Sequence, residues 1–239
     1  MYRMRSRFYK KDDLVFISHL DLVRVFERAM RRGSIPISYS QGFNPHPIMA
    51  FATALGIGVS SEGEYIDVQL DKQIEPEEFM NRLNSVLPDG LRLIQCAYIA
   101  SSEDSLMSVI RRSVYLVKAK MKGTVTKEEL EEKLKYFLNL SEIIDTKEKK
   151  KKHKNDKPKL QETNIREGIY QLDILSFKNN EIIFKMNLAA GSEKNLKPEI
   201  VIKKLVEITE LPINLESIRV HRLELMKEQK GGFVSIMEA

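Results

Sequence analysis

Cysteine occurs once in the 239 residues, at Cys96. A lone thiol excludes a disulfide framework and a cysteine-ligated iron–sulfur cluster within one chain, and it fits a reducing compartment, so a cytoplasmic location is expected. Histidine is also scarce: His19, His46, His153 and His221 stand far apart, without zinc-site spacing. Long apolar runs are missing. The longest, Ile48–Val59, has twelve residues, follows Pro45 and Pro47, and is too short to span a bilayer. Met1–Lys11 carries five basic residues but no apolar segment of signal-peptide type follows it. Neither a membrane contact, a cofactor nor a metal is expected.

Charge is the fourth thing missing, but only locally. Between Gly33 and Ser61 there is no Asp, Glu, Lys or Arg, a gap of 29 residues in a chain that is 31% charged. Elsewhere charge is segregated. Residues 1–46 hold nine Lys/Arg against four Asp/Glu, residues 47–110 three against ten, and residues 111–239 27 against 20. The acidic middle of the first hundred residues thus lies between two basic regions. With 42% hydrophobic residues the composition is that of a globular protein.

Tyr2–Phe8 alternates, with Tyr2, Met4, Ser6 and Phe8 on one face and Arg3, Arg5 and Arg7 on the other, which predicts a strand. Ser18-His19-Leu20-Asp21 reads as a capping box opening a helix that stops at Gly33. Ile48–Leu55 and Glu64–Leu70 read as strands, Glu75–Leu87 as a helix begun at Pro76, and Leu91–Ile99 as a strand. The order βαββαβ predicts an α+β fold: an antiparallel sheet with both helices on one face and the other face open. Arg3, Arg5 and Arg7 would share that open face with Tyr65, Asp67 and Gln69.

The pattern then restarts: a strand at Ser113–Met121, a helix at Thr126–Leu138, a short strand at Glu142–Asp145, a hairpin across Asn179-Asn180, a helix at Pro198–Leu211 and a strand at Ser217–Met226. The expected organisation is two ferredoxin-like units in tandem, 1–100 and 111–227, with a frayed tail at 228–239. The second is interrupted by Lys147–Lys159, whose eight lysines predict an exposed, mobile loop.

Four constellations could carry function. On the helix Leu20–Arg32, Arg24, Arg28 and Arg31 fall within about 60° of arc, opposite Leu22, Val25, Phe26 and Ala29. They are read either as a solvated face, partly paired through Glu27 and Arg31, or as an anion-binding face. Tyr39-Ser40-Gln41-Gly42-Phe43-Asn44-Pro45-His46-Pro47 is either a structural loop or a ligand-contacting one. His19, on the Phe26/Met30 side of the helix, is either a satisfied, partly buried histidine or a general base; His46 is the other candidate base. Glu62, Glu64 and Asp67 suggest a metal site, but Asp67 beside the arginine ladder is more simply a cross-strand ion pair.

Ser18-His19-Leu20-Asp21-Leu22, Arg24, Arg28-Ala29, Gly42-Phe43-Asn44-Pro45-His46-Pro47, Ser61 and Glu64-Tyr65-Ile66-Asp67 occur in that order. Over residues 2–100 they resemble the signature of the bacterial radical-SAM-linked protein family, whose activity is not established. The resemblance implies a partner, since members occur beside or fused to a radical SAM protein. This chain lacks that enzyme's three-cysteine motif and would be the accessory component. A broader likeness, of fold only, is to the tandem ferredoxin-like repeat-RNA endonucleases of CRISPR systems, and it decides nothing about reaction.

Three functions follow as expectations. The first is an accessory module that binds tRNA or rRNA and presents it to a radical SAM modification enzyme. Arg3, Arg5, Arg7, Arg24, Arg28, Arg31, Tyr39, Gly42, Phe43, Asn44, His46 and Tyr65 would contact the RNA. The second is a metal-independent endoribonuclease with His19 or His46 as base. The third is a protein-only docking subunit.

Overall fold

The computed structural model describes residues 2–148 and 160–238. The lysine-rich stretch at 149–159 lies outside the described residues, and so does the expectation attached to it. In chain order the elements are β1 (Tyr2–Lys10), α1 (His19–Arg32), β2 (Met49–Phe51), β3 (Ser60–Leu70), α2 (Pro76–Asn84), β4 (Leu91–Ile99), α3 (Leu106–Val109), β5 (Ile110–Met121), α4 (Lys127–Asn139), β6 (Ile144–Glu148), β7 (Leu160–Asn164), β8 (Ile169–Lys178), β9 (Glu181–Ala189), α5 (Pro198–Thr209), β10 (Ile213–Gln229) and β11 (Gly232–Ser235). The fold is mixed α+β with a mostly antiparallel sheet. No described helix is long and apolar enough to cross a membrane.

The chain forms two compact units that interleave in sequence. The first holds residues up to Val114 together with Ala190–Glu193 and Val220 onward; the second holds Tyr115–Ala189 and Lys194–Arg219. In the first, β1 lies antiparallel between β4 and β3, and β2 pairs antiparallel with β3. The period-two pattern of β1 sends Met4 and Phe8 into a core with Phe26 and Met30 of α1, Ile66 and Val68 of β3, and Phe79 and Leu83 of α2. Phe8, Phe26 and Phe51 meet edge to face at centroid separations of 5.0–6.1 Å.

Three expectations are corrected here. The strand predicted at Ile48–Leu55 shrinks to three residues, Met49–Phe51; beyond it the chain turns through Gly56 and Gly58, with Gly58 at φ 82°. The tail is not frayed through its length. β11 folds back on β10 from Gln229↔Gly232 to Met226↔Ser235, and Ile236 is buried.

The sheet face opposite α1 and α2 is not open either. Tyr65 packs there with Ala52, Leu106, Ile110, Ala190, Leu225 and Ile236. A single-faced sheet with alternating Tyr65 and Asp67 on its second side would leave them wet. Segments that arrive after residue 100 cover them instead, and burying that apolar area drives the closure.

In the second unit β5, β9 and β8 are adjacent, with the first half of β10 beside β5. The β8–β9 hairpin turns at Asn179 and Asn180, both left-handed at φ 51° and 63°, as the sequence expectation required. Thr126 caps α4 by accepting from the Glu129 N–H at 3.1 Å. α4 buries Leu130, Leu134 and Phe137 and packs on α5, which buries Val201, Ile202 and Leu205. β6 and β7 form a separate two-stranded ladder.

Candidate nucleic-acid interface

α1 begins where its sequence says it should. The Ser18 hydroxyl accepts from the Asp21 N–H at 3.2 Å and donates to the Asp21 carboxylate at 2.7 Å. That hydroxyl bond, followed by the Arg24 guanidinium at 3.1 Å, holds the Asp21 carboxyl below the ordinary carboxylate range. Leu22, Phe26, Ala29 and Met30 are buried, which turns Arg24, Arg28, Arg31 and Arg32 outward. Arg24 pairs with Asp21, not through the Glu27–Arg31 spacing, and Arg32 donates to the Val86 carbonyl at 2.6 Å. The Arg28 and Arg31 side chains form no hydrogen bond or ion pair with any described residue.

The chain leaving α1 builds a short hairpin. Ser38 N–H donates to Gln69 O at 2.9 Å and Gln69 N–H to Ile48 O at 3.0 Å, tying both hairpin legs to the end of β3. Ile48 N–H to Ser38 O and Ser40 N–H to His46 O, each 2.9 Å, form the rungs, and Tyr39 bridges Pro47. The His46 N–H also donates to Ser40 Oγ at 3.0 Å. Above these rungs Gln41, Gly42, Phe43, Asn44, Pro45 and His46 are all exposed, and Gly42 takes φ 132°, which favours glycine. The Phe43 ring is fully exposed and Tyr39 is 43% exposed.

The four expected contacts on the sheet have a different setting. Arg5 is 1% exposed and grips Asp67 bidentately, Nε to Oδ1 at 2.8 Å and Nη2 to Oδ2 at 3.0 Å. Arg3 reaches the same carboxylate at 2.7 Å and donates to the carbonyls of Glu103 and Asp104. The cross-strand pairing foreseen for Asp67 is therefore present. Arg7 donates to the carbonyls of Glu62 and Leu223 and pairs with Glu224 at 3.1 Å. Tyr65 is buried, and its hydroxyl donates to Glu224 and meets Ser235 Oγ at 3.0 Å. Burial first, then the Glu224 carboxylate, raises the Tyr65 pKa.

The two candidate bases are not brought together. His19 is partly buried, its ring edge-on to Phe51 at 5.4 Å, and its buried Nδ1 has no hydrogen-bond partner, so it is packed but not satisfied. His46 sits on the exposed hairpin.

A buried polar cluster went unforeseen. Glu64 accepts from Arg222 at 2.9 and 3.1 Å and from Ser61 at 2.6 Å, while Arg222 also donates to Thr53. Lys10 is buried as well, its Nζ only 3.3 and 3.4 Å from the carbonyls of Ile17 and Val15. Desolvation lowers its pKa, with Glu64 opposing. The period-two placement of Val220, Arg222 and Glu224 hinted at charges on a covered strand face. Their partners, about 160 residues earlier, gave no local signal.

The described geometry is thus a helix with an exposed arginine face and a braced hairpin with exposed rings, both on an α+β scaffold. The scaffold resembles a chain of a Cbf5–Nop10–Gar1 complex, with 11% identity, a TM-score of 0.51, and coverage of 95% of this chain and 50% of that one. It also resembles a chain of an H/ACA RNP bound to a substrate RNA containing 2'-deoxyuridine, with 10% identity, a TM-score of 0.51, and coverage of 95% and 49%. This protein thus spans about half the length of those chains, and at such identity the likeness is one of fold. No match was found among curated proteins. Residues 3–198 match the model of DUF2344, described as an uncharacterized protein conserved in bacteria, and the chain belongs to that family.

Proposed function

We propose that this protein is an RNA-binding accessory module of the cytoplasm that presents tRNA or rRNA to a radical SAM modification enzyme. The observation that carries the RNA part is the outer face of α1. The Arg28 and Arg31 side chains are exposed without partners among the described residues, Arg24 and Arg32 flank them, and the chain that follows has no carboxylate from Gly33 to Ser61. Guanidinium groups left unpaired suit phosphate oxygens, which they bind through two parallel N–H donors. The fold shared with a chain from an RNA-bound complex supports the same reading. The radical SAM partner rests on the ordered motifs of residues 2–100. The architectural part of the proposal is that both units are variants of one ferredoxin-like plan, supported in the first by the strand order β4-β1-β3-β2.

Relative to the sequence expectation, the proposed surface moves off the sheet. Arg5 and Tyr65 already spend their polar atoms on Asp67 and Glu224, which leaves α1 and the 39–46 hairpin as the contact region. Filter binding of total tRNA and rRNA across a salt series tests it. Replacing Arg28 and Arg31 by Ala together should weaken binding about tenfold or more and flatten the salt dependence by roughly one ion per arginine lost. An unchanged salt slope would return the stripe to an ordinary solvated face. Co-purification with a radical SAM protein from native extract tests the partner.

A further inference from the structure

We infer that the Phe43 hairpin makes the protein selective for unpaired RNA, by stacking a nucleobase on the Phe43 ring; the inference rests on the RNA-binding reading above. A phenylalanine ring fully in water, at the tip of a hairpin braced by two backbone rungs and a Ser40–His46 side-chain bond, has no structural task where it stands. It contributes nothing to the core, in which Phe8, Phe26, Phe51 and Phe79 already pack. Gly42 beside it would carry a Cβ into open space, so its glycine serves the backbone turn that lifts the ring and not a tight contact.

The surroundings select the occupant. The rim polar groups are the side chains of Gln41, Asn44 and His46, able to hydrogen-bond base edges, and Tyr39 offers a second ring. No carboxylate stands in the hairpin to repel phosphate, and Arg28 and Arg31, whose side chains have no partner among the described residues, belong to the same unit. Base faces are inaccessible in an A-form duplex, whose stacked pairs cover them. An exposed ring therefore discriminates for loops, bulges and single strands, while the arginines bind phosphates of any RNA.

The experiment is fluorescence anisotropy with two labelled probes at one salt concentration, a twelve-nucleotide oligouridine and a twelve-base-pair RNA duplex. The expected result is at least tenfold tighter binding of the oligouridine. Phe43→Ala should remove about tenfold of that affinity without altering the salt slope, and Phe43→Trp should restore it. Duplex affinity should not respond to either change. Circular dichroism melts of both variants should match the parent protein, since the ring is solvent-exposed. Equal affinity for the two probes, or oligouridine binding indifferent to Phe43→Ala, overturns the inference while leaving arginine-dependent RNA binding standing. Failure of the parent protein to bind either probe removes the inference together with the RNA reading.

Discussion

Arginine has two fates in the first unit, and they separate by burial. Arg5 is closed inside the protein with Asp67, their side chains 2% and 3% exposed, whereas the Arg24 side chain is 64% exposed. Removing one partner of a buried pair leaves the other charged and desolvated. Arg5→Ala should therefore cost about 3–5 kcal/mol in urea unfolding, and Arg28→Ala no more than about 0.5 kcal/mol. A comparable loss from Arg28→Ala would make the stripe structural. Cys96 is governed by burial too. Burial, only partly offset by a Ser6 hydrogen bond, pushes its thiol up to about 11. At pH 8 it should react with a disulfide reagent about a hundredfold more slowly than a free cysteine. Its folded pKa is raised, so its contribution to stability is full below about pH 9 and is lost as pH rises through about 11. Denaturation midpoints between pH 8 and 11 should fall, and less so in Cys96→Ala.

At the scale of the element, α1 is set by its first turn and its apolar stripe. Ser18→Ala removes the acceptor for the Asp21 N–H and should cost about 1 kcal/mol. Unfolding by urea checks this, and RNA binding by the folded protein should change little, because the arginine face lies further along the helix. β3 shows the opposite dependence on a distant neighbour. A Cβ at Gly63 would stand 2.5 Å from the Leu223 carbonyl oxygen and 2.6 Å from the Glu224 Cα, backbone that cannot swing aside. Gly63→Ala should destabilise by about 1–3 kcal/mol, read from the thermal midpoint. The cap is local chemistry and legible in four residues. The Gly63 approach is not, because the strand it accommodates arrives 160 residues later.

On the scale of the whole molecule, the C-terminal segment completes the first unit. β11 brings Ser235 to the Tyr65 hydroxyl and Ile236 into the cluster around Tyr65, and Phe233 lies under the Arg112 guanidinium at 3.5 Å. Truncation after Gln229 should expose that face, lower the thermal midpoint and raise binding of a hydrophobic dye. An unchanged midpoint would show the cover to be dispensable.

The local elements are legible in the chain's own residue order. Period two placed β1, a Ser–Asp cap started α1, the Asn-Asn pair turned β8 into β9, and the 100° repeat put Arg24, Arg28 and Arg31 on one solvent face. Each rests on contacts within a few residues, where stereochemistry and hydrophobic periodicity act without help. Tertiary structure alone decided which polar residues remain available. Arg3, Arg5, Arg7 and Tyr65 alternate outward in sequence as plainly as a nucleic-acid face would. Tyr65 is covered by Leu106, Ile110, Leu225 and Ile236, while Asp67 takes Arg3 and Arg5 and Glu224 takes Arg7; most of these groups arrive only after the chain has folded through further elements. The exposure of Phe43 is the converse case: a loop that sequence left open as structural or ligand-contacting holds its ring in solvent, on a hairpin anchored on β3. Burial is a property of what arrives from elsewhere in the chain, and that is the physical reason one stretch of sequence could not decide it.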